Sequence, residues 1–304
     1  MLIAMYVEID DFVIANRQTI QQLNRELGIV KNNYPTTLSL SEMMTIIIHF
    51  QQSGYRTFKT YYTEYVTKRL RDCFPRLVSY QRFVELKPRT LMPLLMFLNH
   101  QQQKTRLTGV NIIDSFPLRA CRNQRIGQHR VMKGIAQRGR TSMGWFYGMK
   151  VHLIVNEHGE LVNSHITAGN VADNDARLLH LLTKRLNGLL IGDKGYICSE
   201  DKKKLLEKDN RLKLVTKPRA NMKRIDYRID ELLWLSKRGV VESSIALIKE
   251  TFQAEHTRHR SATNCVVNIY AALIAYTYHP TKPSAHVYVE SRMISGPTAE
   301  VKAA

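Results

Sequence analysis

GWFYGMKVHLIVNEHGELVNSHITAG, residues 144–169, decides how this chain folds. Two apolar-rich runs flank NEHGE, where Gly159 supplies the turn that a hairpin needs. Within KVHLIV, polar Lys150 and His152 alternate with apolar Val151 and Leu153, which is the period of a strand. Upstream, GVNIIDSF is a short apolar run ending at Asp114 and reads as a buried strand closed by that acid. Downstream, Asp173 to Leu186 reads as a helix, LLIGD as a buried strand ending at Asp193, and Ser199 to Lys208 as a helix. RLKLVTK is a further alternating strand, and helices follow around 238–253 and 262–279. A hairpin followed by strands alternating with helices gives an α/β layered fold with a mixed sheet.

The texture before Arg106 is different. Residues 8 to about 103 read as helical. Ser39 to Glu42 (SLSE) has capping-box spacing ahead of the apolar run Met43 to Phe50, and Gly54 ends that run. The basic, tyrosine-rich segment Thr57 to Arg71 follows, so two helices around Gly54 form a candidate helix–turn–helix for a DNA groove. The expected plan is a helical N-terminal domain over 1–104, an α/β domain over 105–280 and a loosely ordered tail over 281–304.

The formal net charge is +19 over 304 residues, with a pI of about 9.9. Such an excess repels itself unless a polyanion offsets it, which points to nucleic acid as partner. No amphipathic basic helix dominates, so a membrane surface fits less well. Cys73, Cys121, Cys198 and Cys265 are far apart without a CxxC pair, which argues against a zinc site or disulfide framework and for a reducing compartment. The N-terminus MLIAMYVEIDDF makes a poor signal peptide. The apolar stretch Cys265 to Tyr278 is too short to span a bilayer and reads as a buried helix.

RGVVESSIALIKE, Arg238 to Glu250, carries the chemistry. On a continuous α-helix Arg238, Glu242 and Lys249 project from nearly one face, setting a carboxylate between two cations. Asp114 and Asp193 stand at strand ends, where α/β sheets present reactive groups to a crevice. An acid directly after buried apolar residues is costly unless it is paired, solvated or bound to metal. Between Asp114 and the hairpin, a stretch without acids carries Arg119, Arg122, Arg125, Arg130, Lys133, Arg138 and Arg140, a candidate phosphate track. The basic stretch 201–224 is interrupted by acids and is a weaker candidate. Lys194, beside Asp193, is placed to touch substrate or simply to be solvated. Asp173 and Asp175 precede a helix and read first as N-terminal caps. His152 reads as a sheet-face residue more than a ligand. Trp145, Phe146 and Tyr147 read as sheet packing more than a base-stacking surface.

The blocks NIIDSFPLRAC, GWFYGMKVHLIVN, LIGDKGY and RGVVESSIALIKE resemble the DDE transposases of bacterial insertion sequences, most closely insertion-sequence family nine-eighty-two. The resemblance covers roughly residues 105–280, in the expected order. It implies an RNase-H-like mixed sheet flanked by helices, with Asp114, Asp193 and Glu242 as catalytic triad. It further implies two Mg²⁺ ions held by those acids, with Mn²⁺ as substitute. Arg238 and Lys249 would contact double-stranded DNA or hold Glu242 in place, and Lys194 and the basic run would contact the same DNA, both terminal inverted repeats and target, in a homodimer working on the nucleoid in the cytoplasm. Related families often carry a tyrosine three residues before the arginine; here that position is Leu235, beside Trp234. Asp173 would be a supporting residue and not a ligand. Two other functions share these features: an RNase-H-like nuclease or resolvase that only hydrolyses, and a DNA-binding regulator without catalysis.

Overall fold

β3, Gly144–Asn156, is the axis of the sheet and is buried from Phe146 to Asn156. The structure, a computed structural model, describes residues 2–29, 36–197, 199, 211–222, 225–255 and 259–286. On one side β3 pairs antiparallel with β1 (Val110–Cys121). On its other side it pairs with β2 (Gln137–Thr141) near its start and with β4 (Leu161–Ala168) farther along. β1 continues in parallel to β5 (Gly188–Gly192), and β5 to β6 (Leu212–Thr216). This is the RNase-H-like mixed sheet flanked by helices expected from the sequence.

Side-chain alternation gives the sheet two different faces. Ile112, Phe116, Val151, Leu153 and Ile191 belong to the larger core, and Ile113, Ile154 and Leu190 to a smaller one under α6 (Ala176–Thr183). The N-terminal helices α1 (Leu2–Ala15), α2 (Arg17–Glu26), α3 (Leu40–Gln52), α4 (Tyr80–Leu86) and α5 (Leu91–Lys104) precede the sheet. α7 (Ile229–Ser236), α8 (Gly239–Ala246) and α9 (Ala262–Thr277) follow it. α3 begins with the expected capping box: Glu42 N–H donates to Ser39 Oγ at 3.1 Å, and Ser39 N–H to Glu42 Oε2 at 2.6 Å. α3 is buried almost all round, because α1 and α9 pack against it. Gln51 Nε2 donates to Asn268 Oδ1 at 2.7 Å, both side chains buried, so the larger core runs unbroken from α3 to α9. No helix among the described residues is long and apolar enough to cross a membrane.

Several sequence expectations shift. β1 does not end at Asp114 but runs on to Cys121. The basic stretch after it is therefore not one loop: Arg119 lies on β1, Arg125 in the 3₁₀ turn Asn123–Gln128, and Arg138 and Arg140 on β2. QRGRT has no apolar alternation, so nothing in its pattern marks a strand; pairing to β3 makes it one. RGVVESSIALIKE is not one α-helix either. α8 stops at Ala246 and a π-helical turn, Leu247–Thr251, follows. The tyrosine-rich segment after Gly54 also contains a π turn, Tyr61–Val66, whose Tyr61 and Tyr62 are buried among Phe58, Phe83 and Tyr80. The expected helix Ser199 to Lys208 and the tail beyond residue 286 lie outside the described residues, apart from Ser199.

Candidate active site

The pairing of β1 with β5 stops at Ile112 and Ile191. Asp114 and Asp193 each follow that pair by the same interval, so parallel register carries the two acids side by side. Alternation turns both toward the face that holds Ile112 and Ile191. Asp193 thus stands at a strand end, as expected. Asp114 stands at the point where β1 loses its neighbour, which serves the same purpose in mid-strand.

α8 packs on this face through Val240 and Val241. Just before it, Arg238 Nη1 donates to Asp114 Oδ2 at 3.1 Å, and Nη2 donates to Glu242 Oε1. One guanidinium fork therefore joins the acid of β1 to the acid of α8. Burial pushes the Asp114 carboxyl up to about 6. The Ser115 N–H and the Arg238 charge pull it down, while Asp193 and Glu242 push it up further. Those last two influences place Asp193 and Glu242 each within electrostatic reach of Asp114.

Asp193 caps the 3₁₀ turn Lys194–Tyr196, its Oδ1 accepting from Gly195 N–H at 2.7 Å. The turn explanation for GDKGY is thus met by this side chain. A Cβ at Gly195 would stand 2.9 Å from Asp193 Oδ1 and 3.6 Å from Asp173 Oδ2, so glycine lets these carboxylates lie close to the turn. Tyr196 is buried beneath them. Burial, then the charges of Asp173, Asp114 and Asp193, hold its phenol protonated well above the ordinary range.

Asp175 caps α6, accepting from Leu178 N–H at 3.0 Å. Asp173 does not cap; its side chain turns to the opposite face of β1. There Ser115 Oγ donates to Asp173 Oδ1 at 2.8 Å, and Lys150 Nζ donates to the same oxygen at 3.1 Å and to Val171 O at 2.9 Å. His152 is fully buried beside them, with Nδ1 3.8 Å from Asp173 Oδ1 and Nε2 2.9 Å from Thr167 Oγ1. Burial holds its pKa down to about 4. Lys150 and His152 alternate with apolar neighbours as the sequence indicates, yet they face this acid and not solvent. Sequence reasoning missed Ser115, Lys150 and Tyr196. The signal available was a lysine and a histidine on a strand otherwise apolar enough to be buried.

Lys249 does not join Arg238 and Glu242. The π turn breaks the α spacing on which their alignment rested, and Lys249 Nζ pairs with Glu255 Oε2 at 2.9 Å. Lys194 is exposed beside Asp193. Arg119, Arg122, Arg125, Arg130, Lys133, Arg138 and Arg140 are all exposed, and among the described residues none pairs with a carboxylate. Leu235 is buried and Trp234 packs on the larger core.

The acids form an all-oxygen donor set, the kind that Mg²⁺ or Mn²⁺ takes. Crowding of their charge, felt at Asp114, is what a divalent cation relieves. With Arg238 lying between Asp114 and Glu242, no three His, Cys, Asp or Glu side chains among the described residues are spaced as a common metal shell.

The family described as transposase DDE domain matches residues 104–262, just over half of the chain. A comparison with curated proteins gives no match. Among solved structures the chain is similar to a cryo-EM structure of the piggyBac transposase synaptic complex with hairpin DNA. The TM-score is 0.48 at 10% identity, over 85% of this chain and 71% of that one.

Proposed function

Because the chain belongs to the transposase DDE-domain family, we propose that it cuts the ends of its own insertion sequence and transfers the freed 3′-OH into target DNA. The four sequence blocks quoted above most resemble the bacterial insertion-sequence family nine-eighty-two, and that resemblance supports placing the chain there. Asp114, Asp193 and Glu242 are the residues that would hold two Mg²⁺ ions, with Mn²⁺ as substitute. Ions held there would supply Lewis-acid stabilisation of the charge that develops on the phosphodiester oxygens.

The remaining work falls to the chain's own residues. Arg238 presents a planar fork that suits a phosphate as well as a carboxylate, so it can exchange Asp114 and Glu242 for the DNA backbone. Lys194 holds the backbone near the acids, whereas Lys249, paired with Glu255, stands apart from them. Arg119, Arg122, Arg125, Arg130, Lys133, Arg138 and Arg140 track phosphates of the flanking duplex. Asp173, fixed by Ser115 and Lys150, keeps β1 and the Asp193 turn in register with each other. Two copies act on paired ends, as a homodimer on DNA.

The observation that supports this reading most is the placement of Asp114 beside Asp193 in register and across Arg238 from Glu242. The test is to incubate protein and Mg²⁺ with DNA carrying the element's ends and a target plasmid. Joined products are expected. Nicks that persist with free 3′-OH groups and no joining would assign the chain to hydrolysis alone. Asp114→Asn, Asp193→Asn and Glu242→Gln should each abolish cleavage and leave end binding intact; a fully active Glu242→Gln protein removes that residue from the site.

A further inference from the structure

The hairpin that carries β2 into β3 ends in an uncovered indole. Trp145 is 63% exposed and Met143 84%, whereas Phe146 and Tyr147, next along β3, are buried. Arg140 stands opposite Trp145 in the β2–β3 register, with its guanidinium carbon 5.9 Å from the ring centroid. Asn123 Nδ2 donates to Trp145 O at 2.9 Å and ties the hairpin to the turn that follows β1. Beside the ring lies a cleft of about 790 Å³ bounded by Arg119, Arg122, Asn123, Met143 and Glu255. Among the described residues the one acid there, Glu255, is balanced by Lys249, which leaves the cleft walls net positive.

A tryptophan held at a rigid tip, with a cation on its ring and arginines around it, suits a planar, electron-rich group that carries negative charge. No acid occurs between Asp114 and Glu157, so the whole hairpin complements a polyanion. Leu153 is the β3 partner of Asp114, and Trp145 lies roughly 26 Å from it at about 3.3 Å per residue. That span is about eight nucleotide steps at about 3.4 Å each. Inside duplex DNA the base faces are already stacked on each other, so away from a duplex end only a base outside its pair has a face to offer.

We propose that Trp145 is a stacking platform for an unpaired nucleotide of bound DNA, with Arg119, Arg122 and Arg140 holding the phosphates on either side. This rests on the reading that the chain acts on DNA, and adds that it engages a distorted or single-stranded segment away from the acids. The test compares the affinity of the full chain for a blunt duplex and for the same duplex with one unpaired adenine, at fixed salt. The native protein should bind the second about tenfold more tightly. Trp145→Ala should abolish that preference and leave blunt-duplex affinity within about twofold, and Trp145→Phe should keep part of it. Replacing the unpaired adenine by 2-aminopurine should give fluorescence quenching that Trp145→Ala relieves. Equal binding of both duplexes by the native protein, or a preference that survives in Trp145→Ala, overturns the platform and leaves the DNA reading standing. Failure to bind either duplex overturns both.

Discussion

Arg238 Nη1 sits 3.1 Å from Asp114 Oδ2, so a residue at the start of α8 neutralises one on the first strand of the sheet. Removing that charge leaves a largely buried carboxylate facing two others. Arg238→Ala should destabilise the protein by about 1–3 kcal/mol. Mg²⁺ should then raise the melting temperature of this variant more than that of the native chain, since a ligand bound only by the folded state stabilises it. Thermal melts with and without Mg²⁺ check this. An equal response in both proteins would mean that Arg238 and divalent ions do not act on the same acids.

Gly195 is the position where backbone and acids come nearest. Its Cβ-less backbone lets Asp193 Oδ1 accept from its own turn at 2.7 Å. A methyl at 2.9 Å from that oxygen forces the carboxylate to swing. Gly195→Ala should therefore lower DNA cleavage at least about tenfold, which corresponds to about 1.4 kcal/mol in the barrier. Its melting temperature should change little, because the turn is at the surface of the site. Parallel melts and nicking assays separate the two effects.

His152 gives the fold an acid sensitivity. Its folded pKa, held down to about 4 mainly by burial, lies below the ordinary 6.5. Between those values the unfolded chain binds a proton that the folded chain refuses, so stability rises with pH through the window and is lost as pH falls from about 6.5 to about 4. His152→Gln keeps a hydrogen-bonding group for Thr167 and lacks the titration. Its melting temperature should fall less than that of the native protein between pH 7 and pH 4.5. Identical losses in both would assign the acid sensitivity to other groups.

Lys87 is buried, with its ammonium 5.0 Å from the centroid of the Phe58 ring. Burial holds its pKa down to about 8, against a small upward pull from Cys265. Below about pH 8 both states carry the proton and the desolvation penalty stands in full. Above it the folded state sheds the proton first, and stability rises with pH up to the ordinary lysine value. Lys87→Met, similar in length and apolar, should stabilise the protein at pH 7 by about 1–2 kcal/mol after the lost ring contact is counted. The gain should shrink toward pH 10, which chemical denaturation at the two pH values would show.

The hairpin at Gly159, the capping box at Ser39 and the strands around Asp114 and Asp193 were legible because each rests on local pattern: alternation, a cap pair, a short apolar run. What the sequence concealed depends on partners far along the chain. β2 has no alternation of its own and exists through β3. The π turn after Ala246 leaves no mark in RGVVESSIALIKE, and it removes Lys249 from the stripe that α spacing assigns to it. Asp173 carries the same capping signature as Asp175, and only the fold of β1 and β3 distinguishes their uses. Trp145 resembles Phe146 and Tyr147 in sequence, yet the hairpin tip leaves its ring largely exposed beside Arg140.

α9, last of the helices among the described residues, lies against α3 and α5, and Thr105 Oγ1 fastens the following segment to Leu161 O at 3.1 Å. A chain nicked between Lys104 and Thr105 would consequently yield two pieces that cling to each other. Coexpressed as separate polypeptides, they should reassemble into a working whole, while either half made alone would aggregate around its bared interior.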